Sequence, residues 1–206
     1  MHPGREHRAE KSVHLDRGAD LSDDRKLMGA MHNVFVGKVI ERIGNKEDII
    51  PLTLYSVEVV MNIKGNLQGT MTVSKSGGYT NGVLYTLEDD TIFPGGNDNT
   101  FLQTGATYLF ATRYNYNETQ FWYHLIGLPN AVKLITQDAN MSKTQLQALA
   151  EQEKRVNQLR EAYPNEILYA DDVQRNLTRN TFQSLSPEQQ VRIKAEIERQ
   201  KVQGNQ

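Results

Sequence analysis

Between His32 and Tyr123 the chain is built from short apolar and β-branched runs cut by glycine and asparagine: HNVFVGKVIERI, then LYSVEVVMNIKGNLQGTMTVSKSGGY, then GATYLFATRYNYNETQFWY. Alternation of this kind belongs to strands that bury one face and turn tightly at their ends, so the block predicts a β-domain. Val34, Val36 and Ile40 are interleaved with Phe35 and Val39, which places the first strand deep in the sheet with apolar side chains on both faces. Gly37 inside that strand predicts a bend, a bulge or the close approach of another backbone. Further strands are expected at Leu52 to Val60 running on to Lys64, at Gly69 to Val73, Val83 to Leu87, Thr107 to Arg113 and Gln120 to Ile126. Gly44 to Pro51 and Tyr114 to Thr119 are the expected loops. Five to seven short antiparallel strands pack as a sandwich or close into a barrel, and closure is preferred because it removes the apolar edges.

Charge and composition exclude several functions. The 206 residues hold 23 lysines and arginines against 25 aspartates and glutamates, a net charge of −2 spread along the chain. No basic field exists to hold a nucleic-acid backbone or an anionic membrane, so nucleic acid is not expected as a partner. No run approaches the roughly 18 apolar residues of a membrane-spanning helix. The absence of cysteine removes disulfides, thiolate nucleophiles and cysteine-bound metal. The opening segment, MHPGREHRAEKSVHLDRGAD, carries charge without an apolar centre, so no export signal is visible in it.

Three zones follow. Residues 1–20 are expected to be a polar mobile tail, in which His2, His7 and His14 lack the spacing that would stack two imidazoles on one helix face. Residues 21–135 form the β-domain with a leading helix, for which Ser22 is the expected N-cap, Asp23 and Asp24 suit the helix dipole, and Leu27, Met28 and Met31 supply an apolar stripe. Residues 136–206 are expected to be a helical extension. There Ser142 and Gln145 have capping-box spacing, and Leu149, Val156, Leu159 and Tyr163 make a stripe that Pro164 ends. Asp171 to Leu185 is a further candidate helix, and Ser186, Pro187 and Gln189 repeat the start signal. These helices either dock one stripe on the barrel or each other, or form an arm that binds a partner.

No catalytic residues are nominated: His124 is the single histidine of the folded part beyond His32, and no serine in a G-x-S-x-G turn partners it. Asp89, Asp90 and Asp98 offer hard oxygen ligands on two loops, but without EF-hand spacing, and no metal or cofactor is expected. Tyr114, Tyr116, Trp122 and Tyr123 are the candidate binding surface, part of an aromatic hairpin that also contains Tyr108, Phe110 and Phe121. Alternation sends some of these rings into the core and leaves others as a platform.

VFVGKVIE (Val34 to Glu41), YSVEVVMNIKG (Tyr55 to Gly65) and G-x-x-YLFA (Gly105 to Ala111) resemble the OB-fold, netrin-like domain of the tissue inhibitors of metalloproteinases. GGY at Gly77 to Tyr79, LEDD at Leu87 to Asp90, FATRYN at Phe110 to Asn115 and Trp122-Tyr123 are similar to the bacterial exported or surface proteins of that fold. The resemblance implies an OB-like antiparallel barrel within a mainly β, α+β chain. It also implies an extracellular or cell-envelope location, with the export signal absent from this chain; a cytoplasmic location is the alternative. In the animal inhibitors an N-terminal cysteine chelates the protease zinc, and with no cysteine here that mechanism is not expected. Fold similarity carries no activity with it. The expected function is a non-enzymatic interaction module with a protein or surface component as partner. A single-stranded nucleic-acid-binding OB protein, and then a hydrolase built on His124, are the alternatives.

Overall fold

A computed structural model describes residues 10–13, 21–87, 101–115, 122–125 and 132–168. The described chain is mainly β with helical additions: β1 (Glu10–Val13), α1 (Asp24–Ala30), β2 (Asn33–Lys46), β3 (Leu52–Lys64), β4 (Thr70–Ser76), β5 (Gly78–Thr80), β6 (Val83–Leu87), β7 (Thr107–Asn115), β8 (Trp122–Leu125), β9 (Val132–Thr136), α2 (Lys143–Gln152), α3 (Lys154–Ala162) and a 3-10 turn at Tyr163–Asn165. The large sheet has the order β2-β3-β4-β8-β7-β9, and β2 also pairs with β7. Its pairs are antiparallel except β4 with β8, which is parallel. A second, small sheet has the order β1-β6-β5.

Burial along β2 follows its neighbours. Asn33 to Lys38 lie between β3 and β7, and there Val34, Phe35 and Val36 are wholly buried. Beyond Lys38 the β7 ladder ends, and Ile40 to Ile43 are exposed. The β2–β3 ladder slips in register at four places. Between Val39 and Glu41, and again between Arg42 and Gly44, two residues of β2 face one of β3, so Ile40 and Ile43 are bulge residues. Bulges of this kind coil a strand and re-aim a side chain. Gly37 sits at another slip, where the extra residue, Val60, belongs to β3, and a Cβ there would lie 2.6 Å from Val57 Cγ1 and 3.2 Å from the Glu58 carbonyl oxygen, so the irregularity falls on the partner strand and the tightest approach is a side chain's.

The core is one cluster in which Phe35 and Phe110 stand 5.3 Å apart and Tyr108 and Phe110 5.8 Å. Tyr108 and Phe110, two rings of the aromatic hairpin, therefore serve packing. Leu27, Met28 and Met31 of the leading helix are buried in the same cluster. The N-cap is Asp23 rather than Ser22: its carboxylate accepts from the Arg25 amide at 2.8 Å and holds the Arg25 guanidinium. Those bonds keep its carboxyl at about 2, below the usual range.

Several expectations need correction. Glu10–Val13, placed by sequence in a mobile tail, is a strand that pairs in parallel with β6; the rest of 1–20 lies outside the described residues. Val132–Thr136 is an additional strand on β7. The helix expected from Ser142 to Pro164 is two helices broken at Glu153, although the Ser142–Gln145 capping box forms as expected. Leu146 and Ala150 share a face, and so do Val156 and Leu159, but Ala150 and Val156 fall about 120° apart on a continuous helix. The break turns both pairs onto the core, where all four are at most 1% exposed. Residues 143–162 thus dock on the β-domain and share its core, the first of the two arrangements expected for these helices. The candidate helices from Asp171 onward lie outside the described residues.

Candidate functional site

The sequence-predicted residues are only partly assembled. Tyr114 pairs with Tyr123, and Asn115 with Trp122, in the β7–β8 ladder, so three of the four nominated aromatics lie on neighbouring strands. Tyr116, Asp89, Asp90 and Asp98 lie outside the described residues. His124 is paired through its backbone with Ser74 on one side and Arg113 on the other.

A different surface stands out at the far end of β2. Ile40 is 42% exposed, Ile43 48% and Ile49, in the turn to β3, 95%. Exposed apolar side chains that form a contiguous patch mark an interaction surface, and these three lie within ten residues of chain. Between the two bulge isoleucines, the Arg42 guanidinium lies 4.3 Å from the centroid of the Phe101 ring, which stacks on Tyr79 at 5.8 Å. Arg42 Nη2 donates to Asn45 Oδ1 at 2.7 Å, and Asn45 Nδ2 donates to the Tyr79 carbonyl at 2.9 Å. Phe101 is held from behind: the Leu102 amide donates to the Tyr55 hydroxyl at 3.1 Å, and the Gln103 amide to the Tyr108 hydroxyl at 3.0 Å. The result is a guanidinium held over an aromatic ring on an exposed residue, able to take a planar or bidentate acceptor. Sequence inspection missed it because the stack joins β2 to residues after β6. The available signal was the run IERI, where apolar alternation lapses inside a strand.

A second polar group lies inside. Lys64 contacts Glu166 and the Met28 carbonyl, with both members of the ion pair almost wholly buried. Its ammonium is 5.7 Å from the centroid of the Tyr163 ring. His32, 5% exposed, is held neutral: burial, then the positive charges of Arg113 and Lys64, push its imidazole down to about 3. Arg113 donates to the Ala30 carbonyl, which ties β7 to the end of α1. This group joins α1 and the segment after the 3-10 turn to the sheet. A groove of about 520 Å³ runs between the β3–β4 turn and α2, lined by Met61, Asn62, Leu67, Lys143 and Gln147 among others.

Among the described residues, no three histidine, aspartate or glutamate side chains come together as a metal centre would require, and no helix is long and apolar enough to cross a membrane. No protein-family model and no curated protein sequence matches the chain.

Proposed function

We propose that the chain is a non-enzymatic interaction module on an OB-like barrel, of the kind found in the bacterial exported proteins that resemble netrin-like domains, acting in the extracellular space or cell envelope. The strand pairings support the barrel: β2 to β3, β3 to β4, β4 to β8, β8 to β7 and β7 back to β2 make a five-strand circuit with one parallel step. OB-folds bind through the face of their second and third strands and the loops that follow the first and fourth. In this circuit the turn after the first strand carries Ile49.

The observation that carries the reading is the exposure of Ile40, Ile43 and Ile49 in the same stretch of chain as Arg42, which Phe101 and Asn45 hold. A protein partner buries such side chains, and a few central residues carry most of the energy of an interface. The test is Ile43→Ser combined with Ile49→Ser. Both positions are exposed, so the melting temperature should hold while a partner co-purified from the envelope fraction of the producing cells is lost. Retention of every partner by the double variant sinks the reading.

The Arg42–Phe101–Tyr79 stack is the one observation that favours the oligonucleotide alternative, since stacking platforms and arginine are what such OB-folds use. That reading requires binding of a single-stranded oligonucleotide that weakens steeply with salt.

A further inference from the structure

Arg42 lies in a segment rich in carboxylates and uses none of them. Glu41, Glu47 and Asp48 are its near neighbours in sequence and all are exposed, yet among the described residues no carboxylate comes within ion-pair distance of the guanidinium. Asp48 turns its carboxylate to the Ile49 amide at 2.7 Å. Among the described residues the guanidinium is instead held by the Phe101 ring and by Asn45 Oδ1, and no carboxylate is its partner. Among the described residues, only Nη2 of the guanidinium has a hydrogen-bond acceptor.

We propose that Arg42 is the anchor for one carboxylate of a protein partner, an aspartate or glutamate side chain in an extended segment whose neighbouring apolar residue packs on Ile43. This deepens the interaction-module reading and rests on it. An extended segment fits because, among the described residues, β2 past Val39 is a strand whose ladder runs with β3 alone, and an unpaired strand side is where an added strand docks. A carboxylate fits because the planar fork takes it bidentately. The surrounding glutamates and aspartate favour a single carboxylate over a run of phosphates, which they would repel along its length. An apolar neighbour fits because Ile43 is turned outward by its bulge next to Arg42.

The experiment is selection of short random-sequence displayed peptides on the full chain, followed by fluorescence anisotropy of the winners. Selected peptides should carry Asp or Glu beside Leu, Ile or Val. Changing that Glu to Gln in the peptide, with the protein untouched, should weaken binding about tenfold or more, as should Arg42→Gln in the protein. Arg42→Lys should not restore it, because an ammonium lacks the planar fork. Peptides without a conserved carboxylate, or equal binding to wild type and Arg42→Gln, overturn the anchor. Loss of binding in Ile43→Ser alongside full binding in Arg42→Gln removes the anchor but leaves the apolar interface standing. Failure to select any peptide, or Arg42-dependent capture of a single-stranded oligonucleotide in its place, overturns both.

Discussion

Lys64, at the end of β3, and Glu166, beyond the terminal 3-10 turn, form an ion pair between residues 102 apart in sequence, with side chains 3% and 2% exposed. Removing two charges from water is costly, and a buried pair repays that only while both partners remain. Lys64→Met should therefore destabilise the protein by about 3–5 kcal/mol, as should Glu166→Leu, because each strands a buried charge. Combining the two should recover most of the loss. Urea unfolding of the three variants measures it, and single variants costing under about 1 kcal/mol would show that the pair is solvated.

His32 sets a pH dependence whose sign follows from its surroundings. Its imidazole stays neutral in the folded protein down to about 3, against an ordinary value of 6.5. Between those values the unfolded chain binds a proton that the folded chain does not, so stability falls as pH falls from 6.5 toward 3 and is unaffected by this group above that window. The full effect is on the order of 5 kcal/mol as an upper bound. His32→Phe should flatten the slope of unfolding free energy across pH 6 to pH 4 relative to wild type, whatever its effect at pH 7. Parallel slopes in the two proteins would place His32 in contact with water.

Gly29 is fixed by a backbone. A Cβ at this position would sit 1.7 Å from the Ile167 carbonyl oxygen and 2.9 Å from the Leu168 nitrogen. No side-chain rotation relieves that clash. Gly29→Ala should lift residues 163–168 off α1, breaking the bond from the Ile167 amide to the Arg25 carbonyl, now 3.0 Å, and loosening Glu166 from Lys64. A loss of about 1–3 kcal/mol is expected. Hydrogen exchange reports it locally: the Ile167 amide should lose protection in the variant, and unchanged protection there would refute the packing.

What was legible in the sequence was local. Val34 to Val39 announce a buried strand because their neighbours on both sides are other strands, and Gly37 announces a crowded position because a Cβ there would meet Val57. Ser22 and Asp23 are equally good caps by type, and which one acts depends on whose oxygen reaches the Arg25 amide. The break at Glu153 carries neither glycine nor proline; it is imposed by the core that Ala150 and Val156 must both reach. Bulges at Ile40 and Ile43 are a property of pairing with β3, so a single strand's sequence does not display them. Arg42 on Phe101 and Lys64 on Glu166 are likewise long-range contacts, which is why the strands were expected but the candidate site and the buried clasp were not.

Tyr55 and Tyr108 link the core to the candidate site. Their hydroxyls accept from the successive amides of Leu102 and Gln103, the residues that follow Phe101, and both tyrosine side chains sit in the interior. Burial raises the Tyr108 phenol above its usual value, so it stays protonated through the physiological range. Tyr55→Phe keeps the ring and removes the acceptor, leaving the buried Leu102 amide unsatisfied at a cost of about 1–3 kcal/mol. Tyr108→Phe should cost less, since the Gln103 amide is nearer the surface. In both variants Phe101 loses a restraint from behind, so Arg42 should lose order without any change at the surface itself. The expected signature is a lowered unfolding midpoint together with weaker binding of any ligand that depends on Arg42. A Tyr55→Phe protein that loses stability but binds such a ligand as tightly as wild type would show that the loop does not position the stack.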